Sequence, residues 1–245
     1  MKTVNPVNYQ ITFEPDLEKF QFHGRERVIL EIKTPTAILK LNSLDLKINN
    51  CYLKFNNKTI KPKIKLNSEK QELMLNFLEK VSGNAELFID FDGVLNDKLV
   101  GFYRSKYQVE GKEKYLATTQ FEAADARRAF PCWDHPEYKA TFNVSMIINK
   151  KLTAISNTPM VSEKDFDANR KIVKFSRTPI MSTYLLYLGV GEFEFIEDKL
   201  GDIVIRVATT QGKKDQGKLA LEFGKISIPW KGKNPARDKN TYSYT

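Results

Sequence analysis

Apolar residues recur at every second position through most of this chain. Leu73, Leu75 and Phe77 alternate with polar residues, and so do Ala85, Leu87, Ile89 and Phe91. The same rhythm returns at Leu44, Leu46 and Ile48, at Phe142, Val144, Met146 and Ile148, and at Ile203, Ile205 and Val207. Successive side chains of a strand point to opposite faces, so this period predicts half-buried antiparallel strands. Turn chemistry falls between the runs at Asn56-Asn57, Ser82-Gly83-Asn84, Asp92-Gly93, Glu110-Gly111-Lys112 and Asp167-Ala168-Asn169. That spacing suits a sandwich or a curved sheet, and no parallel βαβ rhythm appears. The predicted fold is all-β: a broad, curved antiparallel sheet packed on smaller β-layers. Two segments read as helix, a short one near 122–129 and one near 213–224, where Leu219, Leu221 and Phe223 interrupt a polar run.

A chain of 245 residues can build one large all-β domain or two smaller ones. Its start carries no apolar run of signal-peptide length, and no stretch reaches the ~18 apolar residues of a membrane span. A cytoplasmic location without membrane contact is therefore expected. Cys51 and Cys132 lie far apart with no metal-ligand spacing, so reduced thiols are expected. The formal net charge is +9, but the lysines are scattered among glutamates and form no basic helix. This pattern predicts a solvated surface rather than a nucleic-acid partner. Residues 226–245 contain two prolines, few apolar side chains and no sustained period, and are expected to form an unpacked, disordered tail.

The densest chemistry lies in residues 118–136, T-T-Q-F-E-A-A-D-A-R-R-A-F-P-C-W-D-H-P. Glu122 and Asp125 stand three apart, so a helical turn would place both carboxylates on one face, where they could hold a cation. Arg127 and Arg128 could neutralise one carboxylate and leave the other charged for a ligand, and Pro131 stops the turn. A capped short helix held by structural ion pairs is the alternative. The chain has two histidines, His23 and His135. Neither is followed by Glu or has a histidine four positions away, so each reads as a surface or turn residue and not as a zinc ligand. No Ser-His-Asp or Cys-His arrangement supplies a nucleophile.

The segment 119–136 resembles the T-Q-F-E-x-x-x-A-R-x-x-F-P-C-x-D-x-P signature of the aminopeptidase N-like zinc metallopeptidases, the gluzincin aminopeptidases that include the archaeal tricorn-interacting-factor type. Three further runs are similar to the family's pattern in order and spacing: L-N-D-K-L-V-G-F-Y-R-S at 95–105, A-I-S-N-T-P at 154–159 and M-S-T-Y-L-L-Y-L-G-V-G at 181–191. The likeness extends to about Gly224. His135 departs from it, since many members carry Glu there.

The resemblance implies an N-terminal β-domain over 1–200, an incomplete start of the catalytic domain over 201–225, and an unmatched tail over 226–245. It implies an enzyme that removes N-terminal amino acids from peptides with zinc held by H-E-x-x-H. Neither that motif nor the family's G-A-M-E-N loop occurs in this chain, so no cofactor is expected in it. The chain is expected to be truncated before the catalytic domain and inactive alone. The family's T-Q-F-E glutamate, which pairs with the substrate's α-ammonium, matches Glu122; the glutamine that shapes the first side-chain pocket matches Gln120. The expected partner is a peptide N-terminus, bound weakly by the isolated chain. Two other readings remain open: a stand-alone β binding or scaffold module, and a fragment that complements a separate catalytic chain.

Overall fold

The computed structural model describes residues 3–232, with side chains through Ile228. Fifteen strands follow in chain order: β1 Val4–Asp16, β2 Gln21–Asn42, β3 Lys47–Phe55, β4 Lys58–Ile60, β5 Lys63–Asn67, β6 Glu72–Val94, β7 Gly101–Val109, β8 Lys112–Gln120, β9 Thr141–Asn149, β10 Thr153–Ser156, β11 Met160–Asp165, β12 Arg170–Phe175, β13 Leu188–Gly191, β14 Phe193–Leu200 and β15 Ile203–Thr210. A helix, α1, covers Lys218–Gly232. The large sheet runs β11-β12-β9-β1-β2-β6-β3-β4, with β5 also on β6; a four-stranded sheet runs β10-β13-β8-β7; β14 and β15 form a hairpin. The all-β expectation is met. One pairing in the large sheet departs from the antiparallel pattern, because β1 lies parallel to β9.

Alternation translates directly into burial. Leu73, Leu75, Leu87, Ile89 and Phe91 of β6 and Phe142, Val144, Met146 and Ile148 of β9 all face the core. The two sheets meet there through aromatic rings. Phe102 of β7 lies 5.8 Å from Phe13 of β1 and 5.3 Å from Phe22 of β2, centroid to centroid. Tyr9 stacks on Phe142 at 5.1 Å across the parallel pair. Edge-to-face and offset contacts of this kind add to simple area burial.

Several turn predictions hold, and two do not. Asn56-Asn57 and Glu110-Gly111 are two-residue hairpin turns with positive φ at both positions, where asparagine and glycine are least strained. Ser82-Gly83-Asn84 and Asp92-Gly93 lie inside β6 instead, a single strand that pairs with β2 on both sides of a register shift. Gly83, at φ 80, pairs with Ile32 where the register of the two strands shifts. Gly93 is needed for clearance: a Cβ there would stand 2.2 Å from the Phe22 ring, and one at Gly24 would stand 2.2 Å from the Phe91 ring. Glycine in a strand marks close approach as readily as a turn. The Leu44 to Ile48 alternation also falls partly outside a strand, since β3 begins at Lys47.

The helical expectations are corrected in opposite directions. Near 122–129 only a 3-10 turn forms, Ala126–Arg128. The segment is pinned at both ends by the buried rings of Phe121 and Phe130, 6.2 Å apart, and the Arg127 carbonyl accepts from Leu44 N–H. At the other end, a 3-10 turn at Lys214–Gly217 leads into α1, which continues past 224 to Gly232. Residues 226–232 of the expected tail are thus helical, and 233–245 lie outside the described residues. The turn and helix lie over the β14–β15 hairpin, where Gly217 approaches Ile196 and Val207 and Gly224 approaches Ile205. Among the described residues no helix is long and apolar enough to cross a membrane.

Candidate functional site

The site residues stand where the four-stranded sheet ends. Gln120 is the last residue of β8 and pairs with Gly101 of β7; Phe121 then dives into the core, and Glu122 emerges beyond it. Gln120 and Glu122 are both exposed, and the Gln120 amide nitrogen lies 3.4 Å from the Glu122 carbonyl oxygen. The structure thus brings the two predicted substrate-binding residues side by side. The peptide bond from Glu122 to Ala123 is cis.

The expected sharing of one helical face by Glu122 and Asp125 does not occur, because the segment before Ala126 is a turn closed by Asp125 N–H to the Phe121 carbonyl, 2.9 Å. The arginines part company. Arg128 Nε stands 2.8 Å from Asp125 Oδ1, and Arg128 Nη1 also meets Asp45. Arg127 turns the other way: its Nε lies 2.9 Å from Asp134 Oδ2, its Nη1 donates to Gln71 Oε1 at 2.9 Å, and its Nη2 donates to the Asp134 carbonyl at 3.1 Å. Asp125, Arg127 and Arg128 therefore do not satisfy one another as a closed set; Asp134 and Asp45 are needed. Among the described residues Glu122 has no ion-pair partner. Among the described residues it is the one charged side chain of this turn outside a salt bridge.

Asp134, unassigned by the sequence reading, is the hub of the site. Its Oδ1 accepts from the Thr183 hydroxyl at 2.7 Å and its Oδ2 from the Arg127 backbone N–H at 3.2 Å, while its own N–H donates to Asn42 Oδ1 at 3.0 Å. The other sequence runs lock onto the same end. Asn157 donates to the Leu185 carbonyl at 2.8 Å and accepts from Tyr187 N–H at 2.7 Å, and Ser182 donates to the Pro136 carbonyl at 2.9 Å. Thr119 Oγ1 accepts from Leu188 N–H at 3.0 Å. Gly101, at φ 71, packs against Arg128: a Cβ there would lie 2.7 Å from the Arg128 Cβ. The four motifs form one hydrogen-bonded frame around Gln120 and Glu122. Spacing alone carried no sign of this, since the partners lie up to 92 positions apart.

Other reactive groups are disarmed. Burial pushes the Cys132 thiol well above its ordinary range, with Asp134 adding to the effect, and burial pushes Cys51 up to about 12. Both cysteines are buried and unpaired, hence poor nucleophiles. His23 is a surface residue of a strand and not of a turn. It sits half-buried in β2 with Nδ1 2.8 Å from Asp92 and Nε2 3.6 Å from Asp90. His135 lies in the loop after Asp134, where its Nδ1 accepts from Glu137 N–H at 3.3 Å. Among the described residues no group of three or more His, Cys, Asp or Glu side chains is arranged to hold a metal ion.

A model of the Peptidase M1 N-terminal domain family matches residues 5–185. The chain is 43% identical over 226 residues to Aminopeptidase M1 of Arabidopsis thaliana, covering 89% of this chain and 26% of that protein. It is 38% identical to Aminopeptidase 2 of Candida albicans, over 90% of this chain and 24% of the relative, and 37% identical to the puromycin-sensitive aminopeptidase of Caenorhabditis elegans, over 92% and 24%. The chain spans about a quarter of the length of the curated relatives it matches.

Proposed function

Since the chain belongs to the Peptidase M1 N-terminal domain family, we propose that it is the substrate-anchoring part of an aminopeptidase and hydrolyses no peptide by itself. In this reading the Glu122 carboxylate accepts the free α-ammonium of a peptide, and Gln120 borders the space for the first side chain. The observation that carries it is the pattern of ion pairing: Asp125 and Asp134 are each engaged by an arginine, and Glu122 is not. An ammonium binds a carboxylate more strongly than a neutral acceptor, and hydrogen bonds with an ionised partner are about twice as strong as neutral ones. On an open surface such a pair is worth only about 0–1 kcal/mol. The anchor would become selective only where a second surface closes over it and excludes water. Zinc and the general base would come from a catalytic segment with its own ligands.

One feature favours a second surface. Leu219, Phe223 and Ile226 lie on one face of α1 at 64%, 59% and 70% exposure, opposite the face that meets the hairpin. Contact with a catalytic segment, in the same chain or a separate one, would cover them.

The test is to place this chain in the position of the matching quarter of an active relative and measure hydrolysis of free and N-acetylated peptides. Glu122→Ala should erase most of the preference for a free N-terminus, and Gln120→Ala should mainly change which first residue is preferred. An unchanged free-amine preference in Glu122→Ala would refute the anchoring role.

A further inference from the structure

The outer face of the large sheet carries a row of four side chains in register: Arg25 of β2 opposite Thr12 of β1, Thr12 beside Ser145 of β9, and Ser145 opposite Lys174 of β12. All four alternate with buried neighbours, so they point away from the core. They line an open depression of about 600 Å³ together with Gln10 and Asn143 of the adjoining row. Strands lie about 4.8 Å apart, so the Arg25 and Lys174 backbones stand about 14 Å apart with the two hydroxyls between them. Both long side chains can fold inward over that distance.

The lining places Arg25, Lys174, Thr12, Ser145, Gln10 and Asn143 beside apolar Phe88 and Val161. Asn143 Oδ1 accepts from Asn8 Nδ2 at 2.9 Å and Gln10 Oε1 faces Arg27 Nη1 at 3.5 Å, so each amide oxygen already meets a donor. Arg27 itself is neutralised by Glu86. Asp90, opposite Arg25 in the register, is turned to His23 and to Asn49 Nδ2, 3.4 Å away. Among the described residues neither Arg25 nor Lys174 has an ion-pair partner, although the chain's carboxylates are otherwise widely paired. Two free cations at the ends of a row of hydroxyl donors suit a doubly charged tetrahedral oxyanion, whose oxygens accept from several directions.

We propose that this bay, on the sheet face opposite the core, binds a phosphate-type oxyanion. The site is independent of Glu122 and does not rest on the anchoring role.

The test is an amide-nitrogen NMR titration of the whole chain with inorganic phosphate, with sulfate, acetate and chloride arms at matched ionic strength. Saturable shifts are expected at Thr12, Arg25, Ser145 and Lys174, shared by sulfate and weak or absent with acetate and chloride. Arg25→Gln and Lys174→Gln should each weaken binding about tenfold, the worth of one charge-assisted hydrogen bond, and the double variant should abolish saturation. These side chains are exposed and have no ion-pair partner among the described residues, so the variants keep the fold, which the spread of the spectrum verifies. Shifts that chloride reproduces, that centre elsewhere, or that survive in the double variant would overturn the proposal.

Discussion

Arg127 Nε stands 2.9 Å from Asp134 Oδ2, and this pair, not the neighbouring Asp125, holds the candidate site in place. The Asp134 side chain is 1% exposed and that of Arg127 is 14% exposed. Removing one member of a buried pair strands the other charge and costs about 3–5 kcal/mol. Arg127→Ala and Asp134→Ala should each lower the urea midpoint sharply. Glu122→Ala, at an exposed position without an ion-pair partner among the described residues, should stay within about 0.5 kcal/mol of the parent. A large loss for Glu122→Ala in the same unfolding series would identify it as a structural ion-pair residue.

Glu26 gives the chain a pH dependence of stability. It lies on the core face of β2, level with Ile11 and Ile89, 3% exposed, with neither carboxylate oxygen hydrogen-bonded. Tyr9, Cys51 and Cys132 are the titratable groups that interact with it, and none carries a compensating positive charge. Burial holds its carboxyl well above the ordinary 4.5. The folded state therefore keeps a proton that the unfolded chain releases above about 4.3. Stability should be fullest below that value and fall as pH rises through the folded pKa. Glu26→Leu should flatten this slope: removing the unmade hydrogen bonds adds about 1–3 kcal/mol. The gain grows with pH because the variant no longer has to hold a proton that the unfolded chain releases. Urea midpoints between pH 5 and 9 read both effects, and parallel pH curves for parent and variant would show that Glu26 does not set the slope.

Gly24 and Gly93 are paired reciprocally with Phe91 and Phe22 across β2 and β6. Gly24→Ala should destabilise by about 1–3 kcal/mol through overpacking, and combining it with Phe91→Leu should recover part of the loss. Additive losses in a double-mutant cycle of thermal melts would show that the ring is not the obstacle.

The purified chain should carry no stoichiometric zinc and release no amino acid from aminoacyl-amide reporters. Elemental analysis that found one tightly held zinc per chain, with chelator-sensitive hydrolysis, would contradict the division of labour proposed for it.

Much of the architecture was legible because a half-buried strand writes its register into its side chains. β6 and β9 could be read from Leu87, Ile89 and Phe91 and from Phe142, Val144 and Met146 alone. The misreadings share a cause: local chemistry is ambiguous until the partner strand is known. Gly93 looks like a turn and is instead clearance for the Phe22 ring. Glu122 and Asp125 look like a helical pair, yet the buried Phe121 and Phe130 fix the backbone before a helix can form. Gln120 and Glu122 are singled out by motif resemblance, whereas Asp134 and its bond to Thr183 depend on residues 49 apart that no spacing rule connects. The parallel contact of β1 with β9 was hidden for the same reason.

The central claim is that Glu122 is the free carboxylate that meets a peptide amine. The most direct measurement is an NMR titration of the chain with leucinamide and with N-acetyl-leucinamide, each at tens of millimolar because an exposed pair contributes only about 0–1 kcal/mol. The free amine should shift the Gln120 to Ala124 amides and the Glu122 carboxyl carbon, the acetylated compound should not, and Glu122→Gln should remove the difference. Equal responses to the two compounds, or an amine-specific response that persists in Glu122→Gln, would contradict the account.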